Sequence, residues 1–132
     1  MNRRKRVLIV DKDEGVLISL EHLLEDEGFD TRTTWSAREA LEYALSQRCD
    51  LLVMGDQLPD LSCEQLLREI QRNSGVPSVL VIASAAPQTP AVASYFMSLG
   101  AAGAVRKRNL GEVVDRVKAL CSQTPTVAVR AA

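Results

Sequence analysis

Residues 7–14 read Val-Leu-Ile-Val-Asp-Lys-Asp-Glu. The first four side chains are apolar without alternation, which is typical of a parallel strand that is covered on both faces. Residues 51–56, Leu-Leu-Val-Met-Gly-Asp, repeat this arrangement of an apolar run that ends in an acidic residue. In open parallel sheets, ligands bind outside the carboxyl ends of the strands. The residues that follow these two runs are therefore the first candidates for a functional site.

Short apolar runs alternate with longer segments of helical period along the rest of the chain. This alternation predicts an α/β fold in which crossover helices join parallel strands. Five β-α units occupy residues 1–122, and they fit a flavodoxin-like, doubly wound sheet of order 2-1-3-4-5 with five helices. Gly28 and Gly100 are predicted to end the first and fourth helices. The small and polar residues 123–132 predict a flexible tail or the start of a truncated linker.

Capping residues and apolar spacing define the other helices. Ser36 and Glu39 form a capping box at the start of the second helix, and Asn109 is a predicted cap of the fifth. The apolar periodicity places Leu23 and Leu45 on the buried faces of the first two helices. The single tryptophan, Trp35, falls in the loop before the second helix, where it either packs over the sheet edge or anchors a partner.

Composition excludes several classes of protein. The chain has 132 residues, of which 46% are hydrophobic and 25% charged, so one ordinary buried core is expected. A formal net charge of -1 gives no general attraction to nucleic acid or to anionic lipid. No apolar stretch reaches the length of about 20 residues that a membrane span requires, nor that of a signal peptide. We therefore expect a cytoplasmic protein without nucleic-acid or membrane partners.

The cysteines and the lone histidine carry no metal-site pattern. Cys49, Cys63 and Cys121 lack metal-ligand spacing, and His22 has no second histidine to join it. The cysteines are expected to be reduced packing residues. A hydrolase triad has little support, because Ser84 and Asp11 lack a histidine base.

Three motifs in register resemble the receiver domain of bacterial response regulators. They are residues 7–14, residues 49–60 with the sequence Cys-Asp-Leu-Leu-Val-Met-Gly-Asp-Gln-Leu-Pro-Asp, and residues 100–107 with the sequence Gly-Ala-Ala-Gly-Ala-Val-Arg-Lys. The resemblance runs from about residue 6 to residue 122. It implies a signalling module of a two-component or phosphorelay system, with a histidine kinase or another signalling protein as partner.

The resemblance also implies a phosphoacceptor pocket, and this chain departs from its pattern. In the family, two acids after the first strand bind magnesium, but here only Asp11 matches and the second position holds Lys12. The acceptor aspartate at the end of the third strand corresponds to Gly55, which has no nucleophile. Asp56 follows one residue later, and a shift of one residue re-aims a side chain at a strand end.

The remaining pocket positions are altered as well. Only Ser84 can supply the hydroxyl that follows the fourth strand, the aromatic position of the fifth strand is Ala104, and the lysine matches Lys107. The matched positions therefore carry more cations than anions, which disfavours a dication. We expect magnesium binding to be weak or lost, with Asp11 and Asp56 as the residual candidate ligands. Lys12 either replaces the metal by pairing with an acid or points into solvent.

Three functions remain open. The leading one is a non-phosphorylatable pseudo-receiver, not an enzyme, that acts by protein-protein interaction. The alternative is a catalytically competent receiver that a histidine kinase phosphorylates on Asp56. A third is a sensor that binds a small anion through Lys12 and Lys107 at the strand ends.

The fourth helix and the fifth strand supply a candidate partner face. Receivers commonly dimerise or dock through this region, so the chain is a possible homodimer. Because three adjacent residues span most of a helix circumference, at least one of the three helical candidates should be exposed. The candidate residues are Tyr95, Phe96, Met97, Arg106 and Arg108. The prolines at positions 87 and 90 predict a loop before this helix that is stiffer than a switch loop.

Overall fold

Five strands and five helices alternate in the structure, a computed structural model that describes residues 4–73, 78–84 and 90–122. The strands are β1 (Arg6–Val10), β2 (Asp30–Thr34), β3 (Leu51–Gly55), β4 (Val79–Ala83) and β5 (Gly103–Arg106). The helices are α1 (Glu14–Asp26), α2 (Ala37–Ser46), α3 (Cys63–Asn73), α4 (Pro90–Ser98) and α5 (Leu110–Ser122). The stiff loop predicted before the fourth helix and the predicted tail lie outside the described residues, apart from the helical backbone of Pro90.

The strands form one parallel sheet of order β2-β1-β3-β4-β5. This confirms the predicted doubly wound topology. Every residue of β3 and β4 is buried, as the unbroken apolar runs predicted for central strands. β2 lies at one edge of the sheet and is mostly polar, which suits a strand with one side exposed to solvent.

Two apolar layers cover the sheet. One face packs against α1 and α5, with Leu20, Leu24 and Val117 among its fully buried side chains. The other face packs against α2, α3 and α4, and its centre includes Leu66 and Ile70. Successive strand residues point to opposite faces, so each strand contributes side chains to both layers and the sheet is held between them. None of the helices in the described part of the chain could span a membrane.

The predicted helix ends are confirmed. Gly28 and Gly100 have φ of 95° and 109°, a left-handed backbone that favours glycine after a helix. Ser36 caps α2 by accepting a hydrogen bond from the Glu39 N–H at 3.1 Å, and Asn109 accepts one from the Glu112 N–H at 3.0 Å. The capping box is altered in one respect. Glu39 accepts a hydrogen bond from the hydroxyl of Thr34 in β2, so its carboxylate is tied to the strand rather than to the Ser36 N–H.

Two side chains predicted to be buried are exposed. Leu23 and Leu45 lie at the margins of the apolar faces of α1 and α2, where helical spacing alone does not separate a buried position from a boundary position. Trp35 is also exposed, which favours the alternative in which it anchors a partner. The cysteines are free, and burial raises the pKa of Cys49 to about 11 and that of Cys63 to about 12. Their thiols therefore stay protonated, as expected for packing residues.

Asp60 fastens the loop after β3 to the start of α2. Its carboxylate accepts hydrogen bonds from the Ala37 N–H at 2.8 Å, the Arg38 N–H at 3.0 Å and the Ser36 hydroxyl at 2.9 Å. Desolvation opposes ionisation of this carboxyl, but the three hydrogen bonds outweigh it and lower the pKa of Asp60 below its ordinary value. A negative charge at a helix N-terminus also interacts favourably with the helix dipole.

Replacing Asp60 by Ala should lower the free energy of unfolding by about 1 kcal/mol at pH 7, because a helix cap is lost. The lowered pKa means that the ionised carboxyl stabilises the fold above its ordinary pKa near 4 and loses this effect as the pH falls through the folded-state value. Urea denaturation at pH 7 and at pH 3 should therefore show a smaller difference between the two proteins in acid. Asp115→Ala, at an exposed position of α5, is the control. Equal effects of the two substitutions would contradict the role of Asp60.

Candidate functional site

Three of the sequence-predicted positions meet at the carboxyl edge of the sheet. Asp11 directly follows β1, Gly55 is the last residue of β3, and Lys107 directly follows β5. Backbone hydrogen bonds extend the sheet to the two outer positions: the Asp11 N–H donates to Thr34 O at 3.2 Å, and the Lys107 N–H donates to Ala83 O at 2.9 Å. The predicted convergence of these three residues is therefore confirmed.

Asp11 and Lys107 form an ion pair inside this edge. Lys107 Nζ donates a hydrogen bond to Asp11 Oδ1 at 3.1 Å and lies 3.0 Å from Oδ2. The Asp11 carboxylate is fully buried, and 14% of the Lys107 side chain is exposed. Oδ1 also accepts a hydrogen bond from the Asp13 N–H at 2.8 Å. Because desolvation opposes a buried charge, the contact with Lys107 offsets part of the cost of burying this carboxylate.

The second carboxylate oxygen of Asp11 lies against Gly55. Oδ2 accepts no hydrogen bond from the described residues, since its contact with Lys107 is an ionic one with poor hydrogen-bond geometry. A Cβ atom added to Gly55 would overlap Oδ2 and would lie 3.0 Å from Asp11 Cγ. Because Gly55 has no side chain, the Asp11 carboxylate can occupy the space that the Cβ atom of an acceptor residue would need.

Asp56 points to the neighbouring strand and is bonded there. Its carboxylate accepts hydrogen bonds from the Ser84 N–H at 3.1 Å and from the Ser84 hydroxyl at 3.0 Å, and its own N–H donates to Ile82 O at 3.2 Å. The one-residue shift predicted from the sequence therefore turns the carboxylate toward the end of β4. Ser84 is the hydroxyl residue expected at this strand end, and its hydroxyl is engaged by Asp56.

Lys12 contacts none of the acids that the sequence suggested as its partners. Its Nζ donates a hydrogen bond to the side-chain oxygen of Gln57 at 2.9 Å, and both residues are exposed. Of the two alternatives for Lys12, pairing with an acid (Asp11, Asp13 or Asp56) or pointing into solvent, the structure has the exposed one. Lys12 and Gln57 instead join the loops after β1 and β3 above the buried pair.

The donor set does not suit magnesium, which requires several free oxygen ligands. Asp11 is buried and paired with a lysine, Gly55 contributes no side chain, and both oxygens of Asp56 are bonded to Ser84. Asp13 caps α1 by accepting hydrogen bonds from the Gly15 and Val16 N–H groups. Across residues 4–73, 78–84 and 90–122, no group of three or more acidic, histidine or cysteine side chains could hold a metal ion.

Sequence reasoning missed two residues of this region. Gln57 bridges to Lys12, and Asp60 fastens the same loop to α2. The role of Asp60 could have been predicted from the sequence, because an acidic residue in a loop is a frequent helix-capping partner. Gln57 carried none, since an exposed glutamine has no preferred partner that its sequence position reveals.

The candidate partner face is only partly available. Phe96 is buried against the sheet, so its assignment to a surface is wrong, and its ring contacts Tyr95 edge-on with centroids 5.1 Å apart. Tyr95 and Met97 are exposed, which confirms that at least one of the three faces solvent. The Tyr95 hydroxyl donates to Glu64 at 2.9 Å, and this hydrogen bond raises the pKa of the tyrosine. Arg106 and Arg108 are exposed on and just after β5.

Comparison with known proteins agrees with this geometry. Residues 7–118 match the family model described as the response regulator receiver domain. The chain belongs to this family. Since the match covers most of the chain, the family's place in two-component signalling applies to the domain described here.

The relatives include complete regulators and isolated receivers. The DNA-binding response regulator MtrA of Mycobacterium tuberculosis is 34% identical over 80 residues, which are 61% of this chain and 35% of that protein. The chain thus spans about a third of the length of the curated relatives it matches. The non-phosphorylated HemR receiver domain of Leptospira biflexa has a TM-score of 0.80 at 25% identity and covers 92% of this chain and 97% of its own. The receiver domain of a Luxo repressor protein of Vibrio parahaemolyticus has a TM-score of 0.80 at 24% sequence identity. The match covers 90% of this chain and 91% of that one.

Replacing Gly55 by Ala should lower the free energy of unfolding by about 1–3 kcal/mol, because the new methyl group overlaps the buried Asp11 carboxylate. Urea denaturation followed by circular dichroism measures the change. Gly111→Ala is the matched control: it adds the same methyl group on an exposed turn of α5, where the nearest atom is 3.5 Å away. That control should leave the stability unchanged or raise it by about 0.5 kcal/mol.

A double-mutant cycle connects the effect to Asp11. In an Asp11→Ala background the overlapping oxygen is gone, so Gly55→Ala should cost at least about 1 kcal/mol less than in the natural protein. The same cost in both backgrounds would show that Asp11 does not fill the space beside Gly55.

Proposed function

We propose that this receiver domain is a pseudo-receiver, which takes part in two-component or phosphorelay signalling by binding other proteins and does not accept a phosphoryl group. It would act without magnesium and would remain in one state. The free cysteines fit a reducing compartment, and we propose the cytoplasm as its location.

The observation that carries this proposal is the position of the Asp11 carboxylate. It is buried, it is neutralised by Lys107, and it fills the space that a side chain at position 55 would need. A phosphoryl group and a metal ion would both have to displace this ion pair. Separating the two charges leaves a buried, uncompensated carboxylate, and breaking a buried pair costs about 3–5 kcal/mol.

Asp56 is the residue on which the alternative function depends. As a nucleophile it would have to leave its hydrogen bonds to Ser84 and approach a donor in line, and a misplacement of about 1 Å can cost roughly a hundredfold in rate. The acid that would help to hold a metal is replaced by Lys12. The arrangement around Asp56 therefore favours a structural tie between β3 and β4 over phosphotransfer.

The anion-sensor function has less support. Both of its lysines are engaged, Lys107 by Asp11 and Lys12 by Gln57, so neither presents a free cation at the strand ends.

Protein rather than DNA is the partner that we propose for this domain. The matched part of MtrA is about a third of that regulator, and the present chain has a formal net charge of -1. A histidine kinase or another signalling protein is the class of partner that the family implies. Tyr95 and Met97 on α4 and Arg106 and Arg108 at the end of β5 are exposed, and α4 packs beside β5. Together they would supply an apolar and basic surface for a second copy of the chain.

Incubation with acetyl phosphate and magnesium should give no increase in intact mass by a phosphoryl group, because the pocket holds neither a free acceptor nor a metal site. A receiver with a complete acid pair and acceptor serves as the positive control, and the Asp56→Asn variant as the negative one. A stoichiometric, base-labile adduct that maps to Asp56 and disappears in Asp56→Asn would establish the catalytic alternative.

Replacing Met97 by Asp should weaken self-association, because it places a charge in the apolar part of the proposed interface. Sedimentation velocity at increasing protein concentration measures this effect. Leu45→Asp is the control, since Leu45 is about equally exposed but lies on α2. This face would be excluded as a dimer interface if the wild-type protein were monomeric at the highest attainable concentration. Equal effects of the two substitutions would exclude it as well.

A further inference from the structure

An apolar groove lies between α1 and β2 and adjoins the site at Lys12. The chain's single tryptophan, Trp35, is 64% exposed, and Ile18 on the neighbouring helix is 51% exposed. Both line a cavity of about 340 Å³, whose other walls include Leu17, Thr33, Glu14 and Lys12. We call this the α1–β2 groove. The Lys12 ammonium donates to Gln57, which accounts for this cation in the lining. Large apolar side chains that stay exposed together around a cavity of this size are typical of a binding surface.

An acidic stripe borders the α1–β2 groove. Glu14, Ile18, Glu21 and Glu25 recur at positions that share one face of a helix. Glu25 accepts a hydrogen bond from the Thr31 hydroxyl at 2.8 Å, which places this stripe beside β2. None of the ion pairs within residues 4–73, 78–84 and 90–122 involves these three glutamates. Glu14 and Glu25 are exposed and Glu21 is half-buried, and no cation of the described residues neutralises these charges.

The negative charges of the acidic stripe indicate which kind of partner the α1–β2 groove binds. A second copy related by a two-fold axis would bring two such acidic stripes toward each other, and like charges in an interface are costly. Anionic lipid and nucleic acid would be repelled for the same reason. A positively charged protein segment would be attracted, and an apolar side chain on that segment could fill the cavity beside Trp35.

We propose that the α1–β2 groove binds a basic, amphipathic helix of a partner protein. The stripe from Glu14 to Glu25 covers 12 residues of helix, a rise of about 17 Å between its ends, so three turns of a partner helix suffice to reach all three glutamates. One apolar side chain of that helix enters between Ile18 and Trp35. The groove shares Lys12 with the site but includes none of Asp11, Gly55, Asp56 and Lys107, so this inference goes beyond the proposed function and holds even if Asp56 accepts phosphate.

The test uses Trp35 as its own reporter. The probe is a synthetic helical peptide of about 14 residues, with lysines along one face, one phenylalanine near an end and no tryptophan. Titration into the full chain should shift the Trp35 emission to shorter wavelength, because the phenylalanine removes water from the indole. A peptide with Glu in place of Lys, and one with Ala in place of Phe, should each bind at least about tenfold more weakly.

Matched variants separate this groove from general attraction between opposite charges. Ile18→Ser and Glu21→Gln should weaken binding of the lysine peptide, while Leu45→Ser and Glu112→Gln, on other faces, should not. Circular dichroism verifies that each variant is folded. Equal effects of Glu21→Gln and Glu112→Gln, or no effect of Ile18→Ser, would overturn the proposal. A blue shift that grows with protein concentration in the absence of peptide would also overturn it, because a second copy would then occupy the groove.

Discussion

The buried contact among Asp11, Lys107 and Gly55 is the constraint on which the site depends. A carboxylate without access to water requires a cation, and Lys107 supplies one from the other side of the sheet centre. The same carboxylate requires space, and glycine at position 55 supplies it. The buried position of the Asp11 carboxylate therefore depends on the charge of Lys107 and on the small size of Gly55. The departure of this chain from the acceptor pattern is a coordinated rearrangement rather than the loss of one residue.

The loops around this contact are tied in a way that fits a single state. Asp56 joins the end of β3 to Ser84, Gln57 joins the same loop to Lys12, and Asp60 joins it to the start of α2. Three residues of one loop are thus bonded to three other parts of the fold. A loop held at so many points has few other conformations of similar free energy, whereas a conformational switch requires two.

The fold could be predicted from the sequence, and half of the site could not. Unbroken apolar runs identify buried parallel strands and fit the observed sheet order. The meeting of Asp11, Gly55 and Lys107 was predicted from the resemblance to receiver domains. The partner of Lys12 did not, because a long exposed side chain can reach several acceptors of similar energy. The burial of Phe96 was missed for a related reason: adjacent helical residues divide between core and solvent according to the packing of the helix, which spacing only approximates.

A crystal structure of the protein grown with magnesium and beryllofluoride, a mimic of the phosphoryl group, tests the central claim most directly. We expect density for neither ligand at the carboxyl edge of the sheet, with the Asp11 carboxylate paired to Lys107 and lying against Gly55. Beryllofluoride bonded to Asp56, together with a magnesium ion on Asp11 and Lys107 displaced from that carboxylate, would contradict it.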